Sequence, residues 1–199
     1  SYCTTPGAAY GGADEETDAA FLTRYREYLQ RPISSGNKNH YISWAKEVSG
    51  VINAQCVPIW DGPGTVKVIV AGPDKDPVDE DVIGEVADHI EEERPIGADV
   101  TVVTVTELAI NVSATVTLTP GATAQAVKEE LEASLAQMLL ELPFGEATLV
   151  RWSRCLALLL DCEGVEDYAA FTVNSGTTNV SVGQEQTPVV GTITITEGS

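Results

Sequence analysis

Two histidines, four cysteines and many carboxylates are the residues of this chain that could do chemistry, and their spacing argues against most of it. His40 and His89 are the only histidines. Neither can be assigned a nucleophile with a base partner, and no G-x-S-x-G elbow is present. His89 lies in an acidic stretch and reads as a solvated side chain. The cysteines, Cys3, Cys56, Cys155 and Cys162, form no C-x-x-C pair and no His-x-x-x-His pattern accompanies them, which argues against zinc. Cys155 and Cys162 share one face of an apolar helical run and read as buried free thiols in a reducing compartment. Asp74, Asp76, Asp79, Glu80 and Asp81 suggest calcium at first sight. They lack the loop glycine and the spaced terminal Glu of an EF-hand, and acidity at a helix N-terminus accounts for them. Asp61-Gly62-Pro63-Gly64 is not followed by Gly-Lys-Ser or Gly-Lys-Thr, so it is no phosphate loop. Acidic residues are abundant, yet nothing singles out a pair for glycoside hydrolysis. Asn111 and Asn179 stand in N-x-S triplets that read as accidental. No catalytic, cofactor-binding or metal-binding residue is assigned, and the chain is expected not to be an enzyme.

The elements that carry these residues alternate between helical and strand periodicity. After an extended N-terminal arm at 1–13, Asp14 is placed to cap a helix whose Phe21, Tyr25, Tyr28 and Leu29 follow helical spacing until Arg31-Pro32. A short helix is predicted over 38–48, with Tyr41, Trp44 and Ala45, ending at Gly50. Strands over 51–60 and 65–71 around Asp61-Gly62-Pro63-Gly64 form a hairpin signal, and Pro58 places the first at an edge or a bulge. Asp76-Pro77 opens a helix to Glu93 with Val78, Val82, Val86 and Ile90 on one face and carboxylates on the other. The valine-rich strand at 99–106 suits cover on both faces. Over 108–118, Ile110, Val112, Ala114, Val116 and Leu118 alternate with Asn111, Ser113, Thr115 and Thr117, so one face there is solvated. A helix over 123–142 buries Val127, Leu131, Leu135, Met138 and Leu139. The run 150–162 is apolar nearly all round and is expected to be a central helix. Strands follow at 168–173, near 179–182 and at 189–196.

An ungapped self-alignment places Gly50-Val51 on Gly164-Val165, Gly62 on Gly176, and Val66 and Val68 on Val180 and Val182. The same register sets Trp44-Ala45 on Leu158-Leu159, and Val57 and Ile59 on Phe171 and Val173. The expectation is an α+β fold of two small related helix–β-hairpin modules, 14–106 and 107–199, with mixed or antiparallel sheets and helices on one face. If duplication holds, the turns at Gly62 and Gly176 join strands of the same relative direction.

The balance of 30 acidic to 11 basic residues, a net charge of −19, repels phosphate backbones and argues against nucleic acid as a partner. No apolar stretch reaches the length of a membrane span, so no membrane partner is expected. Residues 1–13 carry neither a basic n-region nor an apolar h-region, so no secretion signal is visible there. Val-Thr alternation at 99–118 and 189–196 offers a strand edge through which another chain could add, beside the alternative of ordinary sheet interior.

Gly11-Gly12-Ala13-Asp14-Glu15-Glu16-Thr17-Asp18, then Phe21, Arg24, Arg31-Pro32, Gly36-Asn37, Tyr41, Trp44-Ala45, Val48 and Gly50-Val51, resemble the baseplate J-like family of contractile phage tails. The likeness continues through Pro58, Trp60, Gly62-Pro63-Gly64-Thr65-Val66, Val68, Arg94-Pro95-Ile96-Gly97-Ala98 and Gly164-Val165. Ser49 departs from the pattern, where Pro is usual. The resemblance implies the C-terminal portion of a structural subunit of the baseplate wedge in a phage, prophage or tail-like particle, assembled in the bacterial host cytoplasm. Its partners would be copies of itself and neighbouring wedge and hub proteins, and it would relay the trigger for sheath contraction. It implies no cofactor. A second reading, from another class, is a soluble ligand-binding or adhesin-like α+β module of a secreted protein.

Overall fold

Asn37 starts the first helix of the main body because its side chain accepts the His40 N–H at 2.9 Å, satisfying one donor that the first turn leaves free. The computed structural model describes residues 36–198 and, before them, 17, 18, 21, 22, 25 and 26. Contacts divide the chain into units at 1–34 and 35–199. In the first, Asp18, Phe21, Leu22, Tyr25 and Arg26 are helical, and the Phe21 and Tyr25 rings stack at 6.1 Å, one turn apart as their spacing predicts. The arm at 1–13, the Asp14 cap and the Arg31-Pro32 stop lie outside the described residues.

The main body runs α1 (Lys38–Glu47), β1 (Asn53–Pro58), β2 (Thr65–Ala71), α2 (Glu80–Glu93), β3 (Asp99–Thr104), β4 (Thr106–Leu118), α3 (Ala124–Leu140), β5 (Thr148–Val150), α4 (Trp152–Asp161), β6 (Val165–Val173), β7 (Val180–Val182) and β8 (Gln186–Glu197). It is α+β, with mixed sheets ordered β1-β2-β3 and β6-β4-β8 and a small β5-β7 ribbon. In the first sheet β2 is antiparallel to β1 and parallel to β3; in the second β4 is antiparallel to β6 and parallel to β8. Pro58 closes edge strand β1, where its missing N–H breaks no inner ladder.

Helices α1 and α2 cover one face of the first sheet. Tyr41, Trp44, Ala45, Val86 and Ile90 meet Cys56, Val68 and Val70 there. The opposite face, Ile69 and Ala71, packs with Val105, Val57, Val103 and Phe144. In the second sheet the apolar parity of β4 meets Val127, Leu131, Leu135 and Leu139 of α3 and Cys155 and Leu159 of α4. Its other parity, including Asn111, Ser113 and Thr117, stays exposed, as the alternation predicts. Lys75 Nζ joins the halves, donating to the carbonyls of Leu140 and, at 2.6 Å, of Leu142.

The structure corrects several expectations. Helix α2 begins at Glu80 instead of Pro77, because residues 73–76 close a 3-10 turn and the Val78 N–H donates to Thr104 Oγ1 at 2.9 Å. Helix α4 is not central: only Cys155 and Leu159 are buried along it, and Leu160 is exposed. It also starts late, since residues 148–150 form β5, and Asn179 Oδ1 accepts the Trp152 N–H that opens it.

The two stretches share a helix–Gly–strand turn but not the hairpin that duplication requires. Val51 N–H donates to Val48 O and Val165 N–H to Cys162 O, both at 3.3 Å, around Gly50 (φ 94°) and Gly164 (φ 89°). Each turn leads a helix into a strand antiparallel to its sheet's central strand. Beyond that the copies part. After β1 the chain turns back into β2, whereas Val173–Gly176 makes a tight turn with positive φ at Asn174 and Ser175 and then leaves the sheet. β7 pairs with β5 instead of β6, so the second unit is not the predicted hairpin.

Candidate functional site

Residues able to do chemistry stay apart in the fold. His40 stacks on Trp44 at 3.8 Å and its Nδ1 accepts the Gly36 N–H. His89 Nε2 lies 2.9 Å from Glu47 Oε2 and ties α2 to α1. Asp74 sits in the 3-10 turn, Asp79 holds the N-cap position of α2 without a side-chain capping bond, and Glu80 and Asp81 fill its first turn. Among the described residues no group of three or more His, Cys, Asp or Glu converges. Cys56, Cys155 and Cys162 are free and buried, and burial pushes each thiol up to about 11. Such thiols are poor nucleophiles at neutral pH. Asn111, unassigned by sequence, fills a bulge between β4 and β8: its Oδ1 accepts the Thr192 N–H at 2.8 Å, and Asn174 Oδ1 accepts its backbone N–H.

What the body offers instead is surface. The open face of the second sheet is small and polar, with Ser113 between Thr172 and Thr194, and Thr115 between Ala170 and Thr196. β8 forms one edge of that sheet over twelve residues. Helix α2 presents Glu85, Asp88, Glu91, Glu92 and Glu93 outward.

A third feature lies at the β1–β2 turn, where sequence reasoning placed Ile59 and Trp60 in a strand. Both are exposed there, at 68% and 40%. Ile59 has φ 58°, a conformation that a β-branched residue adopts rarely and at a cost of about 1–2 kcal/mol. Thr65 locks the turn: its Oγ1 accepts the Asp61 N–H at 3.0 Å and donates to Gly62 O at 2.7 Å. Lys67 Nζ sits 3.8 Å from the centre of the Trp60 ring and is paired to Glu185. The neighbouring α2–β3 loop projects Ile96 fully into solvent, with Arg94 bonded to Glu91 and to Ala98 O. The signal in the sequence was Pro58 before two large apolar residues and a Gly-Pro-Gly turn, which ends a strand early.

No described helix is long and apolar enough to cross a membrane, which says nothing of strands.

Residues 34–104 match the family model of the baseplate J-like central domain, and residues 110–196 that of the baseplate J-like protein C-terminal domain. The chain is 31% identical over 193 residues to the phage-like element PBSX protein XkdT of Bacillus subtilis (strain 168), covering 94% of this chain and 55% of that protein. Uncharacterized protein YqbT of the same strain matches with the same identity and coverage. The chain thus spans about half the length of these relatives. Baseplate protein gp47 of Escherichia phage Mu is 50% identical over 58 residues, 29% of this chain and 16% of that one. A chain of the anti-feeding prophage (AFP) baseplate, solved by cryo-electron microscopy with six-fold symmetrisation, shares the fold. Its TM-score is 0.62 at 15% identity, over 88% of this chain and 42% of its own length.

Proposed function

Because the chain belongs to the baseplate J-like family of phage baseplate structural proteins, we propose that it is a wedge subunit that docks other baseplate proteins and relays the contraction trigger. The carrying observation is that both family domains follow one another in order through the described body. In this reading its work is contact with other proteins. Partners are copies of the chain and neighbouring wedge and hub proteins, met in the host cytoplasm and kept in the virion tail; nucleic acid and membrane are not among them. Support for a repeated position about the tail axis comes from the structural neighbour, which belongs to a six-fold symmetrised baseplate. The acidic face of α2 suits a basic neighbour and would steer its approach.

We also propose that residues 14–106 and 107–199 act as two modules after an arm at 1–13. Separate buried clusters, one around Trp44, Val68 and Ile90 and one around Ile110, Leu135 and Leu159, support the division.

Deleting this sequence from a particle-producing strain tests the reading. Electron microscopy should show loss of complete baseplates, and intact contractile particles would sink it. For the relay, reversing Glu85, Asp88 and Glu92 to Lys should leave particles that assemble in part yet contract poorly. Normal triggering in those particles would remove that role from α2.

A further inference from the structure

A second apolar feature lies at the far end of β2 from Ile59 and Trp60. The C-terminus of α3, β5 and the start of α4 frame an open cleft floored by Met138, Leu142 and Leu149, with Arg151, Arg154 and Glu141 at its rim. In a chain of net charge −19 two arginines here are conspicuous. Neither forms an ion pair among the described residues, whereas Lys67 and Arg94 each hold a carboxylate. Both also stand at the start of α4, where the helix dipole favours negative charge and no acid is present in the first turn. With Glu141 set against the two arginines the rim keeps one positive charge in excess, so an occupant with apolar surface and a carboxylate matches it.

The β1–β2 turn of the same chain carries that combination: Ile59 and Trp60, exposed, followed by the carboxylate of Asp61. Thr65 holds the turn, and among the described residues the backbone strain at Ile59 is offset by little burial, the side chain being 68% exposed. Backbone strain retained at an exposed apolar residue points to a contact there, since covering the side chain would offset it. Among the described residues the turn contributes nothing to the lining of the cleft. Thr65 opens β2 beside the turn, while Lys75, just past its end, is bonded to Leu142 of the cleft. The strand between those two points, seven residues at about 3.3 Å each, is about 20 Å long.

We propose that the Ile59-Trp60-Asp61 turn of one copy seats in the Met138–Leu142–Leu149 cleft of a second copy, with Asp61 facing Arg151 and Arg154. This rests on the baseplate reading and adds the surfaces through which copies meet. The contact is heterologous, two different patches on each subunit, so copies can continue in one sense around an axis.

Complementation tests it. A turn variant, Ile59→Gly with Trp60→Ala, keeps its cleft; a cleft variant, Arg151→Glu with Arg154→Glu, keeps its turn. Sedimentation velocity of the whole chain at high concentration should show self-association that each variant loses by at least tenfold. An equal mixture should recover a single contact, giving dimers and nothing larger. Circular dichroism melts control folding, and Ile59→Gly alone should melt no lower than the parent because it relieves strain. Wild type that stays monomeric, variants that associate like it, or a mixture that recovers nothing would overturn the proposal. Pull-down with neighbouring tail proteins separates the two readings. If both variants join those proteins as wild type does, only the self-contact fails; if wild type joins none, the baseplate reading fails with it.

Discussion

The two mixed sheets use the same arrangement, a central strand with one antiparallel and one parallel neighbour, but they are covered differently. Around β2 both faces are closed, one by α1 and α2, the other by Phe144 and its surroundings, and Val68, Ile69, Val70 and Ala71 are all buried in succession. Around β4 only the helical face is closed, and burial alternates residue by residue. Strand composition follows from cover: consecutive apolar residues where both sides are dry, and Val-Thr alternation where one side meets water. The central strand of the first sheet is dry on both sides, whereas the second sheet keeps one face toward solvent.

The largest break in that comparison comes from the closed side of the second sheet. Leu135→Ala removes a fully buried side chain beneath β4 and should cost about 2–5 kcal/mol in urea titration. A loss below 1 kcal/mol would mean that α3 is not the main cover of that sheet.

The paired turns give the next test. Gly50→Ala meets Val82 only at ordinary contact distance, so it costs the left-handed backbone alone, about 1 kcal/mol. Gly164→Ala would set its Cβ 2.5 Å from Ala122 Cβ, adding about 1–3 kcal/mol of overpacking. Equal losses in the two variants would show that the turns sit in equivalent surroundings after all.

A smaller effect follows from the thiols, one in the first core and two in the second. Each folded pKa is raised to about 11 from near 9, so an unfolded thiol gives up its proton first as pH rises. Their contribution is fully present below about pH 8 and is lost between pH 9 and 11. Denaturation midpoints should fall across that window, and less so in the double variant Cys155→Ala with Cys162→Ala than in the parent. A flat profile would remove burial as the cause. Smallest of all, Thr115→Val on the open face should shift stability by less than about 0.5 kcal/mol. A larger shift would mean that this face packs on something within the chain.

Much of this was legible in the residues. The Val127–Leu131–Leu135–Leu139 stripe and the β4 alternation are local periodicities that burial obeys directly. The apolar run at 150–162 misled because periodicity cannot distinguish a central helix from an outer one rich in leucine. Of the docking features, the solvated Thr face could be read from alternation, but the exposed Ile59-Trp60 turn could not. Seen as a string, those residues continue a strand, and only the Ile59 φ and the Thr65 hydroxyl show the chain turning away.

Most elements and the polar parity of β4 followed from residue order because each depends on neighbours within a few positions. Strand partnership did not. Val180–Val182 resembles Val66–Val68 in type and spacing, yet one joins β5 and the other sits at the centre of a sheet. Nothing within three residues can encode which distant strand completes a ladder. That choice depends on contacts between distant residues, such as Asn179 accepting the Trp152 N–H and Asn174 accepting the Asn111 N–H, which residue order alone does not display.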